Sequence, residues 1–281
     1  MKPQLNLGRI DYLNCRPLYE KLQAAADNET YVLCSGNPAQ LNYKLETGEI
    51  DISPSSSILP ATSRENSYFI LPDIAIASTA RVHSVLLLSR RPPAELTGSR
   101  IALTSHSLTS TFLLRIILFK FLGLDPATIS FTTREFAPAM ECEAALVIGD
   151  QALQHYHQPP TGFQTYDLGH LWHHFTGLPF VYALWIGRRE ILAQKQEALA
   201  TLHGQLSAII AELPRDLENL SRTLAPETMF SARQLRLYWQ EAISYRLDDK
   251  ALAGLQLFYE NAYELGLIDR IPELLFFPPS R

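Results

Sequence analysis

Four short segments concentrate the residue types that bind an anion or move a proton. They are Asp11-Tyr12-Leu13-Asn14-Cys15-Arg16-Pro17, Ser53-Pro54-Ser55-Ser56-Ser57, Thr104-Ser105-His106-Ser107-Leu108-Thr109-Ser110-Thr111 and Gly149-Asp150. In the third, six of eight residues carry a hydroxyl. Hydroxyls and free backbone N–H groups at the start of a helix suit a carboxylate or phosphate, because orphan donors and the helix dipole both favour negative charge. Ordinary N-capping by Ser and Thr explains any one such segment. Several on one sheet edge, with Asn14 in the first, point instead to a ligand cleft. Asp51 and Asp150 end or follow apolar strands, where a carboxylate is either a helix cap or a buried acid, and capping is the commoner of the two.

Other constellations carry less. His170, His173 and His174 are spaced to share a helical face, yet no Asp, Glu or Cys nearby completes a ligand set. A solvated face explains them, with Asp167 as the N-cap, and no metal or cofactor is expected. No glycine-rich dinucleotide or phosphate loop and no nucleophile elbow is present. The 24 Lys and Arg against 29 Asp and Glu leave a net charge of −5, which excludes a nucleic-acid binder working through a broad basic surface. An anionic ligand would therefore have to be met by local donors. Cys15, Cys34 and Cys142 are odd in number and widely separated, so they form neither a disulfide framework nor a metal knuckle. The first nine residues lack a signal-peptide pattern and no apolar run is long enough for a membrane helix. The expectation is a cytoplasmic protein that neither inserts in a membrane nor binds nucleic acid.

The elements that must position these segments follow from the pattern. The 281 residues, 47% hydrophobic and 19% charged, are enough for two α/β domains. Strands are expected over residues 7–12, 31–34 and 50–53, with helices over 17–26, from Pro38 to Gly48, and over 55–63. Asn37 is the N-cap of the second helix and Gly48 its stop. An apolar strand over 82–89 leads to Pro92-Pro93, the first candidate boundary. A second series follows: a strand at 100–104, a helix over 107–122, strands at 129–132 and 145–148, and a return strand at 180–186. From Arg189 onward the pattern is helical, with further helices over 232–245 and 249–265. Alternating strands and helices imply two mostly parallel sheets with helices on both faces. The expected lobes are residues 1–89 with 187–281, and an inserted 90–186, with ligand held beyond the strand ends between them.

The same segments carry a family resemblance. Arg9-Ile10-Asp11-Tyr12-Leu13-Asn14 with Pro17, Gly48-Glu49-Ile50-Asp51 with Ser56-Ser57-Ile58, and Ser84-Val85-Leu86-Leu87 resemble segments of chorismate dehydratase, the first enzyme of the futalosine route to menaquinone. So do Thr104-Ser105 with Ser107 and Thr109-Ser110, Leu146-Val147-Ile148-Gly149-Asp150, Tyr166-Asp167-Leu168-Gly169 and the string from Thr176 to Trp185. They arrive in family order over residues 9–189. His106 and Leu108 in the hydroxyl turn, and Pro54-Ser55 before the serine pair, depart from the pattern.

The resemblance implies a two-lobed periplasmic-binding-protein-like (type II) fold with a central ligand cleft. It also implies a lyase that removes water from chorismate without a cofactor, giving 3-[(1-carboxyvinyl)oxy]benzoate. Loss of the ring hydroxyl and the neighbouring ring hydrogen makes the ring aromatic, so the protein's task is orientation, polarisation and exclusion of water. On this view Asn14 meets the substrate near the leaving group. Ser56, Ser57, Ser84, Ser107, Thr109 and Ser110, with the Gly149-Asp150 turn, hold its two carboxylates. The base is the substrate's own enolpyruvyl carboxylate, Asp11 or Asp150. Two alternatives stand beside this: a cytosolic small-anion-binding protein of the same fold, and the later 1,4-dihydroxy-6-naphthoate-forming enzyme of the pathway. A ligand-binding transcription regulator ranks lower, because no helix-turn-helix precedes the first strand.

Overall fold

The computed structural model describes residues 4–25, 30–63, 68–137 and 141–277. Ala26, at the end of the first expected helix, and the first three residues of the N-terminal segment lie outside them. Among the described residues, eleven strands form two sheets. The first contains β1 (Leu5–Ile10), β2 (Tyr31–Gly36), β3 (Ile52–Ser56), β4 (Tyr68–Ser78), β10 (Phe180–Arg188) and β11 (Ser244–Arg246), in the order β11-β4-β10-β3-β1-β2. The second contains β5 (Val85–Ser89), β6 (Arg100–Leu103), β7 (Ser130–Thr133), β8 (Ala144–Ile148) and β9 (Gln164–Asp167), in the order β7-β6-β8-β5-β9.

Local sequence accounts for most helix ends. In α2 (Pro38–Thr47), Asn37 and Gln40 form a reciprocal capping box and Gly48 closes the helix in the left-handed region at φ 82°. Ser107 caps α4 (Leu108–Ile116) and Asp167 caps α6 (Leu168–Thr176). Two more helices matter to the cleft: α1 (Arg16–Ala25) follows β1 after the turn at residues 11–15, and α5 (Gly149–His157) starts directly after β8. The short α3 (Leu59–Thr62) follows β3. The 29-residue α7 (Gln196–Leu224) buries Leu199, Leu202, Leu206, Ile209, Leu213 and Leu217 at helical spacing and packs on α1. The tail continues through α8 (Ala232–Leu237), a π turn over Tyr238–Ala242, and α9 (Asp249–Glu264).

Four expectations are corrected. Residues 55–63 are not one helix: β3 runs through Ser56, buried along its whole length, and only Leu59–Thr62 is helical. A serine- and proline-rich string reads locally as a turn, but β10 pairs with it from Ile52 to Ser56 and makes it a central strand. Nothing was expected over residues 64–81, yet β4 occupies eleven residues there, kinked at Asp73 (φ 64°) and bulged against β10. The helix expected over 232–245 breaks at the π turn and ends in β11, so the tail is not purely helical. Finally, the sheets are mixed and the crossings fall earlier than expected. β5 pairs with β8 and β9, and the whole of β10 pairs with β3 and β4. The chain therefore passes between sheets after Ser78 and returns before Phe180, while Pro92-Pro93 lies inside the second lobe. An apolar strand's composition does not say which sheet will accept it.

Candidate active site

The turn after β1 and the helix N-termini of the second sheet face one cleft of about 600 Å³, its open mouth included. The first lobe contributes Tyr12, Asn14, Ser55 and Ser56, and the second contributes Ser84, Ser107, Ser110 and Gly149. Ile10, Ile76, Val82, Val85, Ile148 and Ile243 give it apolar walls. Six of the nine expected site residues thus converge: Asn14, Ser56, Ser84, Ser107, Ser110 and Gly149.

The other three do not line the cleft. Ser57 donates its hydroxyl to Val181 O at 2.7 Å, and Thr109 Oγ1 accepts the Ile58 N–H at 3.4 Å. The Ser57 bond lies within the first lobe, and Thr109 joins the lobes through Ile58 and a 3.4 Å contact with the Ser57 hydroxyl. Asp150 Oδ1 accepts the Leu13 N–H at 3.0 Å, behind the Asn14 turn. Asp11 is exposed and paired with Arg9 at 3.1 Å. Asp51 is a buried acid and not a cap: it accepts the Asn6 N–H and meets Lys195 at 2.6 Å and Arg188 at 3.6 Å, far from the cleft in function. His170 and His174 lie on the exposed face of α6.

The cleft hydroxyls are arranged as donors. Ser107 Oγ accepts the Ser110 N–H and donates to Ser110 Oγ at 2.9 Å, so the Ser110 proton is not used in that bond. Tyr238 OH donates to Ser84 Oγ at 2.8 Å, while the Ser84 proton has only a long contact with Val82 O at 3.3 Å. Asn42 Nδ2 donates to Ser56 Oγ at 3.2 Å. In each case an internal donor fills a lone pair and leaves O–H for an anionic acceptor. Thr104 and Ser105 are already engaged, both with Glu135, which explains why that hydroxyl-rich turn supplies fewer ligand contacts than its composition implies. Asn14 Oδ1 is buried in the cleft wall with no hydrogen-bond partner. A buried polar atom left unpaired costs about 1–3 kcal/mol, a cost that functional sites tolerate.

Tyr12 lies flat against the backbone of Gly149, where a Cβ would come within 3.1 Å of the ring, and its hydroxyl is 3.4 Å from His106 Nδ1. Gly149 sits at φ 64°, so a side chain there meets both strain and the ring. Burial and the neighbouring Asp150 and Glu135 push the Tyr12 phenol up to about 12. Burial also pushes the Cys15 thiol far above its usual range. Among the described residues, the lining contains no Asp, Glu, His, Lys or Arg.

Sequence reasoning missed Ser55, Ile76, Tyr182 and Ile243 as lining residues. The alternating apolar run around Ile74-Ala75-Ile76 was a usable strand signal for Ile76. Ile243 had none, because the tail reaches the cleft only through tertiary packing.

Asp150 yields a stability prediction. Burial raises its carboxyl from 3.8 to about 6, opposed by the Leu13 N–H and Arg16. A raised carboxyl pKa means the folded protein holds the proton more tightly than the unfolded chain does. The resulting stabilisation is complete below about pH 4 and is lost as pH rises through about 6. Asp150→Asn removes that loss while keeping an acceptor for Leu13. Denaturant melts should show the variant more stable than wild type by roughly 2–3 kcal/mol at pH 7.5, with the gap closing by pH 4. An equal gap at both pH values would contradict it.

The two lobes with a cleft between them define the class: this is the architecture of the periplasmic binding proteins. The chain superposes on a protein of Archaeoglobus fulgidus with a TM-score of 0.73 at 17% identity, covering 94% of this chain and 98% of that one. On the alkanesulfonate-binding protein SsuA from Xanthomonas axonopodis, bound to MOPS, the TM-score is 0.72 at 18% identity, with 96% of each chain covered. Those likenesses are of fold alone.

Sequence narrows the class. Residues 5–264 match the model of the menaquinone biosynthesis family, and the chain belongs to that family. It is 34% identical to a protein of Thermus thermophilus named chorismate dehydratase, over 206 residues that cover 68% of this chain and 72% of the relative. A Campylobacter jejuni protein of the same name is 25% identical over 265 residues, 92% and 98% of the two chains. No helix among the described residues is long and apolar enough to cross a membrane.

Proposed function

We propose that this protein is a chorismate dehydratase, a cofactor-independent hydro-lyase that converts chorismate to 3-[(1-carboxyvinyl)oxy]benzoate and water. The observation that carries the reading is a cleft whose wall brings Asn14, its Oδ1 unpartnered, together with serines from both lobes, in a chain whose relatives bear that name. Ser110, Ser84 and the N-termini of α4 and α5 receive one substrate carboxylate. Ser55 and Ser56 on the facing lobe receive the other. The apolar walls hold the ring and keep water from it.

Two bonds break: the ring C–H gives up its proton, the neighbouring C–O releases hydroxide, and the ring becomes aromatic. Asn14 donates from its Nδ2–H to the leaving hydroxyl oxygen and favours its departure. The substrate's enolpyruvyl carboxylate takes the proton. Support for this assignment is the lining itself, which has no carboxylate or imidazole and whose phenol and thiol are held protonated. Asp11 is exposed against Arg9, Asp150 Oδ1 accepts the Leu13 N–H, and neither residue is in the cleft lining, which supports the same assignment.

The test is incubation of purified protein with chorismate, following the aromatic product by absorbance and mass. One water lost per chorismate consumed is the expected result. Tight binding with chorismate unchanged would make it a small-anion-binding protein of this fold instead. Ser110→Ala is expected to raise KM by about 10-fold with kcat less affected, because a charge-assisted hydrogen bond is worth about 1.5 kcal/mol or more. An unchanged KM would remove Ser110 from the carboxylate site.

A further inference from the structure

Three hydrogen bonds converge on the backbone of Leu13 and Asn14. Asp150 Oδ1 accepts the Leu13 N–H at 3.0 Å, Trp239 Nε1 donates to Leu13 O at 2.7 Å, and Tyr245 OH donates to Asn14 O at 2.7 Å. The partners are 137, 226 and 231 residues away in the chain. Asp150 comes from the second lobe, Trp239 from the π turn after α8, and Tyr245 from β11. Both aromatic residues are buried. By contrast, the side-chain oxygen of Asn14 has no hydrogen-bond partner to hold it. Its aim is therefore set from the main chain behind it.

We propose that Asp150, Trp239 and Tyr245 are positioning residues, a three-point clamp on the Leu13–Asn14 backbone that aims the Asn14 carboxamide into the cleft. The inference rests on the reading of Asn14 as the group that meets the leaving hydroxyl. It gives Asp150 a role other than base or carboxylate ligand. Because Asp150 belongs to the second lobe and Asn14 to the first, the aim of the carboxamide depends on how the lobes stand to one another. Small misplacements of a reacting group are costly in rate, so a clamp of this kind acts on kcat more than on KM. It also explains why the π turn and β11 interrupt the helical tail: they deliver Trp239 and Tyr245 to the turn.

The test uses the full chain and chorismate, with Asp150→Ala, Trp239→Phe and Tyr245→Phe made singly and in an Asn14→Ala background, plus Asp150→Asn. Each single variant is expected to lower kcat by about 10-fold or more, with KM within about 3-fold. In the Asn14→Ala background the same changes should add almost nothing, since the group they aim is gone. Asp150→Asn keeps an acceptor for Leu13 and should recover turnover to within about 3-fold of wild type. Hydrogen exchange in peptides spanning residues 10–16 should rise in every clamp variant, a readout that needs no turnover.

Tyr245→Phe keeps its ring and Trp239→Phe keeps an aromatic ring in place of the indole, so Tyr245→Phe decides the matter even where Asp150→Ala or Trp239→Phe fails to fold. Unchanged kcat in both, or equal losses with and without Asn14, would overturn the clamp. Asp150→Asn as inactive as Asp150→Ala would make Asp150 the base. A wild-type protein that leaves chorismate unchanged would overturn the proposed function, and exchange over residues 10–16 would then decide the clamp alone.

Discussion

Asn14→Ala is expected to lower the turnover number with chorismate by about 10²–10³-fold, the usual consequence of removing one preorganised polar group from a developing negative charge. Departure of hydroxide is the step that needs help, and the lining offers few groups to give it. Among the described residues it has no charged side chain, and Tyr12 is turned toward His106. KM should change little, because the proposed function assigns the carboxylates to serine hydroxyls and helix N-termini rather than to Asn14. Stability should stay the same or rise by about 1 kcal/mol, since Asn14 Oδ1 is buried without a partner and its removal relieves that burial. Steady-state kinetics and a thermal melt on one preparation check both parts. Full turnover in the variant would end the role given to Asn14.

Asp167→Ala is expected to produce a large loss of stability at the cleft, about 2–4 kcal/mol, because it strands three N–H groups together, that of Val82 buried. The Asp167 carboxylate is 6% exposed. It accepts the N–H of Val82 at 3.1 Å, of His83 at 2.8 Å and of His170 at 3.0 Å. It thereby caps α6 and also holds the crossing loop that enters the second lobe. His83 in that loop sits at φ 60°, a conformation a non-glycine residue adopts only when its surroundings impose it. Ser84 follows directly, in the cleft wall. Releasing the loop should therefore raise the chorismate KM by about 10-fold besides lowering the melting temperature by roughly 10 °C. Asp167→Asn retains one acceptor oxygen and should show a smaller part of each effect. A variant that melts lower but binds substrate normally would separate the helix cap from the loop and refute the link to Ser84.

Asp167 shows where local reading stops. Its N-cap role is legible because a cap is made within three residues of the helix it serves. Its grip on residues 82 and 83 is not, because that bond crosses 85 positions of chain. The same divide runs through the cleft. Ser107 and Ser110 are readable from one turn, since each is bonded to the other. Ser57 and Thr109 have the same chemistry and equally suggestive positions, but packing turned the Ser57 hydroxyl to Val181 of its own lobe and the Thr109 hydroxyl to Ile58 of the other. Burial on both faces made the Ser-Pro string of β3 a strand, where composition alone suggested a helix start.

Taken alone, the sequence determined the α/β class, the helix caps at Asn37 and Asp167, and the Asn14 turn and hydroxyl segments that carry the family resemblance. All of these rest on contacts within a few residues, or on residue order, and both are written along the chain. Only the tertiary structure decided which hydroxyls face the cleft, where the chain crosses between sheets, and that Asp150, Trp239 and Tyr245 meet behind Asn14. Those outcomes depend on which surfaces pack together, and packing is settled by the shape and burial of the whole chain at once.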